Sequence, residues 1–282
     1  MRVAVTGASG LIGTRLVAAL RGRGDEVTAI SIRGGSPSPD ALAGRDAVVH
    51  LAGEPVAQRW TKGARERIRS SRELGTRSLV SAIAAATPHP SVLVCASGVG
   101  YYGSRGDEPL DEDAAPGDDF LAQVCVAWER EAGAAAAHGV RVVTVRTGVV
   151  LDRAGGALAK MLPPFRLGIG GPVAGGRQYL PWIHLDDLVG IYIAAIDDPA
   201  WSGAVNAAAP EPVTNAAFSK ALGRALHRPA IAPVPALAIR ALYGDMAEIV
   251  TEGQRAIPRR ALALGYAFEH PELDEALSDA LR

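Results

Sequence analysis

The stretch Val3-Ala4-Val5-Thr6-Gly7-Ala8-Ser9-Gly10-Leu11-Ile12-Gly13 constrains the fold more than any other part of the chain. A short apolar run reads as a buried parallel strand, a glycine turn follows, and helical periodicity then begins. Leu11, Ile12, Leu16, Val17 and Leu20 fall on one stripe of a helix expected to last to about Arg23. Gly7, Gly10 and Gly13 sit where strand becomes helix. Lacking Cβ atoms, they permit a tight turn, bring backbone N–H groups close to a ligand and let the helix pack hard on the strand. The free N–H groups and the positive end of the helix dipole form an anion site suited to a pyrophosphate. Gly7, Ser9, Gly10, Leu11, Ile12 and Gly13 are therefore candidate cofactor contacts. A glycine triplet can also mark a plain strand-to-helix turn, but its place inside a strand–turn–helix–strand unit favours dinucleotide binding.

A chain of 282 residues can bury a large core and hold one α/β domain with a small addition. Net charge is −1, with 29 basic and 30 acidic residues, so nothing points to nucleic acid or a membrane surface. Two cysteines, Cys95 and Cys125, are too few for a disulfide framework and fit a reducing cytosol. No apolar run approaches the roughly 18–20 residues needed to span a bilayer. A cleaved leader would remove the glycine turn, so none is expected and the chain reads as cytoplasmic.

Glu26 to Ile32 reads as the second parallel strand. An NAD site usually ends this strand with an acid that binds the ribose hydroxyls. Here it ends Ser31-Ile32-Arg33, and the next acid is Asp40. A guanidinium at Arg33 can pair with a 2′-phosphate, so NADP(H) is expected in preference to NAD(H), although an ordinary solvated arginine is the alternative. Residues 34–44 read as a loop, and Ala47 to Gly53 as a strand whose end places Leu51, Ala52 and Gly53 beside the cofactor. A basic helix follows from Trp60 to about Ala86; among its arginines, Arg72 is the candidate facing the cleft. Ser91 to Ala96 is another strand, leading into Ser97-Gly98-Val99-Gly100-Tyr101-Tyr102-Gly103. The acidic loop 104–119 reads as a solvated surface or lid, Phe120 to His138 as a helix and Val140 to Val145 as a strand.

From Gly155 the segments read as a substrate lobe interleaved with the sheet. Residues 168–176 carry five glycines, which suits a mobile loop over a pocket. Asp186 and Asp187 read as first-turn capping acids. His184 has no second His or Cys at ligand spacing, so no metal site is expected. After Pro235 the chain becomes a compact helical piece, giving expected units of 1–232 and 233–282.

Taken together, Thr6 to Gly13, His50-Leu51-Ala52-Gly53, Tyr102-Gly103 and Trp182-Ile183-His184-Leu185-Asp186-Asp187 resemble the landmarks of an extended short-chain dehydrogenase/reductase. Nearly the whole chain is similar to that superfamily's atypical branch of epimerase family proteins, which are NAD(P)-dependent epimerase/dehydratase-like. This narrower resemblance rests on Arg59-Trp60, Ser71-Arg72, Val99 to Gly103, Trp128-Glu129 and Gly170-Gly171-Pro172. The tail from Gly253 to Pro258 resembles the branch's C-terminal domain of unknown function. The resemblance implies a Rossmann-type doubly wound parallel sheet and an NADP(H) site. It places cofactor contacts at Gly10 to Gly13, the end of strand two including Ser31, Leu51, Ala52, Arg72 and Val150. Ile32 stands where the branch usually has its arginine, one residue before Arg33.

The superfamily's Tyr-x-x-x-Lys pair is missing. Aligned through Glu129, its positions hold Leu121 and Cys125, and the helix contains neither tyrosine nor lysine. Any proton donor must then be Tyr102, Tyr101 or Ser97, with Tyr102 the first candidate because it follows the strand into the cleft. Two readings stay open: an NADP(H)-dependent oxidoreductase or epimerase acting on a small carbonyl, hydroxyl or nucleotide-sugar-like substrate, or a non-catalytic redox sensor that signals through a protein partner. Oligomeric state is open, a homodimer included.

Overall fold

The computed structural model describes residues 1–32 and 35–282. From the N-terminus run β1 (Arg2–Thr6), α1 (Leu11–Gly22), β2 (Glu26–Ile30), α2 (Pro39–Leu42), β3 (Ala47–His50), α3 (Lys62–Ala85) and β4 (Val92–Gly98). A 3-10 turn (Val99–Tyr102) and β5 (Pro109–Leu110) lead to α4 (Phe120–Gly133), a second 3-10 turn (Ala134–His138) and β6 (Arg141–Thr147). The next segment holds β7 (Val149–Leu151), α5 (Gly156–Arg166), β8 (Tyr179–Leu180), β9 (Trp182–His184), α6 (Leu185–Asp197), β10 (Gly203–Ala207), β11 (Val213–Thr214) and α7 (Asn215–Ala225). The tail adds α8 (Ala236–Tyr243), α9 (Ala247–Thr251), β12 (Arg255–Ala256), α10 (Arg259–Ala263) and α11 (Leu273–Ala280).

Six strands form a parallel sheet in the order β10-β6-β4-β3-β1-β2. Chain direction reverses across the sheet between β1 and β3, the switch point at which such sheets bind ligands. Thr6 pairs with His50 and His50 with Cys95, so β1 and β3 end level while β4 runs three residues further, to Gly98. Strand alternation builds both faces. Val3 and Val5 pack on Leu16 and Leu20 of α1 and on α6. Ala4, Val48 and Leu93 face the other way, against Leu79 and Ile83 of α3 and Trp128 of α4. A separate core joins Leu158, Leu162, Trp182 and Phe218 to Ala276 and Leu277 of α11, so the tail shares apolar packing with the lobe before it. Among the described residues, no helix is long and apolar enough to cross a membrane.

Several local expectations need correction. The second strand stops at Ile30, and residues 39–42 make a helical turn within the expected loop. The acidic loop is anchored: β5 pairs in parallel with β12, and Leu110 and Glu112 are buried. Within residues 168–176 the backbone at Gly171 packs closely on Ala232, where a Cβ would come 2.8 Å from the carbonyl carbon, while Ile169, Ala174 and Gly175 are exposed. Asp186 and Asp187 do stand in the first turn of α6, but the side-chain cap is His184, whose Nδ1 accepts the Asp186 N–H at 3.2 Å. Asp186 pairs with Arg15 at 2.6 Å. The buried Asp187 carboxylate accepts from Glu269 N at 2.7 Å and His270 N at 3.0 Å, fixing the tail on α6. These features depend on partners far away in sequence, which local periodicity cannot register.

Candidate active site

The glycine turn has the form an anion site requires. Gly7 adopts φ +71°, and a Cβ there would lie 2.8 Å from Ala52 N, so the turn after β1 presses on the segment after β3. A Cβ at Gly13 would overlap Gly7 O, which explains the close seating of α1. Gly10 differs: its N-cap backbone (φ −77°, ψ 172°) suits any residue, and a Cβ would meet only Gly7 O at 3.4 Å. No side chain caps α1, and Ser9 and Gly10 are exposed. The first N–H groups of the helix are thus left for a ligand, and the cradle fits a pyrophosphate. Leu11 packs against Gly155, where a Cβ would lie 3.3 Å from its Cδ atoms. The Val150 carbonyl lies 3.8 Å from where a Gly156 Cβ would be, so the chain after β7 closes the same end of α1.

Beneath this turn, His50 bridges Thr6 Oγ1 (2.7 Å from Nδ1) and Thr76 Oγ1 (2.9 Å from Nε2). Burial, reinforced by the Arg72 charge, pushes its pKa down to about 4, so the ring is neutral. Thr6 Oγ1 also accepts from Ala52 N at 3.3 Å. Arg72 is buried beside Gly53, donating to the carbonyls of Glu54 (3.0 Å) and Ile68 (3.2 Å) with its guanidinium 4.8 Å from the Trp128 ring centroid. Burial lowers its pKa, and among the described residues it has no ion pair with a carboxylate. Ser31 is exposed just beyond β2. Ile32 lies on α3, its Cδ1 3.3 Å from where a Gly75 Cβ would be. Arg33 falls outside the described residues.

At the ends of β4 and β6, a buried polar network replaces the expected open donors. Arg146 donates to both oxygens of Glu129, at 2.8 Å each, and Ser97 Oγ donates to Glu129 Oε1 at 2.7 Å. Arg146 Nη1 reaches Tyr102 Oη at 3.0 Å, and Tyr102 donates to Asn206 Oδ1 at 2.6 Å. Asn206 continues to the carbonyls of Leu110 and Ile257, and its backbone N–H goes to Glu112. Tyr102, the first candidate proton donor, is committed to this network. Its side chain has 0% exposure, its hydroxyl proton is spent on Asn206, and burial pushes its pKa up to about 12. Ser97 is buried and spends its proton on Glu129. Tyr101 is different: its ring lies 3.4 Å from the Arg146 guanidinium, it is only partly buried, and its hydroxyl has no hydrogen bond among the described residues.

The missing tyrosine–lysine pair is filled by apolar packing. A Cβ at Gly100 would lie 2.5 Å from Leu121 Cδ2, so Leu121 covers the turn after β4. Cys125 is buried by Gly98, and burial pushes its thiol up to about 12, which makes it inert. Sequence reasoning used Glu129 only as an alignment marker and missed it as a buried ion-pair partner. The available signal was an arginine ending an otherwise apolar strand, which needs a carboxylate if buried.

Comparison with known proteins follows this geometry. The NAD dependent epimerase/dehydratase family model matches residues 3–208, and a domain of unknown function, DUF1731, matches residues 234–280. The chain is 42% identical over 297 residues to epimerase family protein SDR39U1 of Bos taurus, covering 100% of both. It is 43% identical over 293 residues to epimerase family protein Mb2239 of Mycobacterium bovis, covering 99% of this chain and 97% of that one. The crystal structure of human SDR39U1 (isoform 2) with NADPH superposes with a TM-score of 0.90 at 41% identity, covering 99% of each chain. With its Rossmann-type parallel sheet and glycine turn, this chain belongs to the NAD dependent epimerase/dehydratase family and carries the DUF1731 C-terminal region.

Proposed function

We propose that the chain binds NADP(H) at the α1 glycine turn and reduces a small carbonyl substrate, with Tyr101 as proton donor. The observation that carries this reading is the uncapped N-terminus of α1 beside a Gly10 whose missing side chain leaves room for a ligand. The human relative's crystal structure contains NADPH, which supports the choice of cofactor. When bound, the reduced nicotinamide supplies a hydride. The chain's own part is to hold the phosphates on α1, exclude water with Leu121 and Val99, and give a proton from the Tyr101 hydroxyl. The Arg146 guanidinium stacked on the Tyr101 ring holds that phenol in place. Ser31 and Arg33 receive the 2′-phosphate in this reading, and Leu51, Ala52, Gly53, Arg72 and Val150 line the rest. Residues 1–232 bind cofactor and substrate, and residues 233–282 brace them.

The test is loss of NADPH absorbance with a panel of aldehydes and ketones, comparing the parent with Tyr101→Phe. Turnover that falls with Tyr101→Phe while NADPH affinity holds supports the reading. A specific observation favours a second reading: Leu121 and Cys125 fill the tyrosine and lysine positions with apolar contacts. On that reading the chain binds the dinucleotide without turnover and reports its redox state to a protein partner. Tight NADPH binding with no turnover of any carbonyl would favour it.

A further inference from the structure

His184, Asp186, His270 and Asp279 offer one ligand atom each, all within 4.8 Å of one another. They arrive from three places: the β9–α6 junction, the segment that Asp187 pins, and α11. We propose that this cluster binds one divalent transition ion of the zinc class, stapling the C-terminal segment to α6. None of its four ligands belongs to the glycine turn, and the proposal does not depend on the functional reading above.

The geometry suits an ion. His184 is 4% exposed, yet its Nε2 makes no hydrogen bond among the described residues and faces Asp279 Oδ2 at 3.5 Å. That is too long for a strong hydrogen bond. Tetrahedral ligation at about 2.0–2.2 Å places neighbouring donors roughly 3.3–3.6 Å apart, which matches it. The His270 ring centroid lies 3.9 Å from that of His184, tilted by 45°. Two imidazoles this close repel when both are protonated. Neutral rings are the ligating form.

The donor set selects the metal. Two imidazoles and two carboxylates, with no thiolate, suit zinc, cobalt or nickel, whereas magnesium and calcium prefer oxygen alone. The two carboxylates balance the charge of a divalent ion. Arg15 holds Asp186 Oδ1 at 2.6 Å and Arg282 holds Asp279 Oδ1 at 3.2 Å, so each aspartate keeps a second oxygen to turn inward. Loading His184 through Nε2 puts the ring proton on Nδ1 and gives up the 3.2 Å contact with the Asp186 amide. His270 and Asp279 lie more than eighty residues beyond His184, which is why His184 read alone suggested no site.

The experiment uses the full chain, freed of metal by chelation, titrated with Zn²⁺ by calorimetry and with Co²⁺ by visible absorption. Saturation is expected at one ion per chain, with the intense d–d bands of four-coordinate cobalt. At free zinc roughly 100 times Kd, Tm should rise by about 4–5 °C. Asp279→Asn, nearly isosteric, and His270→Ala should each weaken zinc by about 10-fold or more and leave NADPH affinity unchanged. Absence of saturable binding, or parental zinc affinity in either variant, overturns the proposal.

Discussion

Arg146 on β6 holds Glu129 on α4 through two parallel hydrogen bonds of 2.8 Å, with the two side chains only 4% and 14% exposed. The pair ties α4 to the sheet one helical turn beyond Cys125. Removing one partner of a buried pair leaves the other charge unpaired, at a cost of about 3–5 kcal/mol. Glu129→Ala should therefore lower unfolding free energy by about that much in urea titration. A loss below about 1 kcal/mol would show that the pair is not sealed as described.

Tyr101 and Tyr102 separate structure from chemistry. Tyr102→Phe strands Asn206 Oδ1 and one Arg146 donor in the core and should cost about 1–3 kcal/mol of stability. It should leave turnover within a few-fold of the parent. Tyr101→Phe loses only a hydroxyl that has no hydrogen bond among the described residues, so stability should hold while turnover drops by about 10²–10⁴. Paired melting curves and NADPH oxidation rates check both; the opposite pattern would return the donor role to Tyr102.

His50 gives stability a defined pH dependence. Its folded pKa is about 4, below the unfolded value near 6.5, so the unfolded state binds the proton first as pH falls. Its contribution is complete above about pH 6.5 and is lost progressively down to about pH 4, amounting to roughly 3 kcal/mol. His50→Asn should flatten that part of the stability–pH curve. An unchanged slope between pH 6.5 and 4 would contradict the assignment.

Arg33 carries the selectivity hypothesis. Losing a charge-assisted pair with the 2′-phosphate should cost about 1.5–3 kcal/mol, or roughly 10- to 150-fold in affinity. Arg33→Ala should weaken NADPH by that factor and leave NADH nearly unchanged. Equal losses for both would remove Arg33 from the phosphate site.

The strands and long helices were legible because their apolar runs and periods are local: Val3-Ala4-Val5 is a continuous apolar run, and the structure buries both of its faces. The glycine turn was legible for the same reason. What sequence could not supply were contacts set by distant partners. Asp187 looked like a helix cap, yet it holds residues 269 and 270 of the tail. Tyr102 looked open because it follows a strand into the cleft, but Asn206, more than a hundred residues later, takes its hydroxyl proton. The acidic loop looked solvated because its pairing strand, Arg255–Ala256, lies near the other end of the chain.

Gly10→Val probes the dinucleotide cradle most directly. Backbone angles at Gly10 suit valine, and its Cβ would meet only Gly7 O at 3.4 Å, so the fold should survive. The branched side chain would stand over the free N–H groups at the start of α1, where a pyrophosphate must sit. Fluorescence titration with NADPH should then show an affinity loss of about 100-fold or more, with the melting temperature close to the parent's. Undiminished NADPH affinity in a folded Gly10→Val protein would contradict the account.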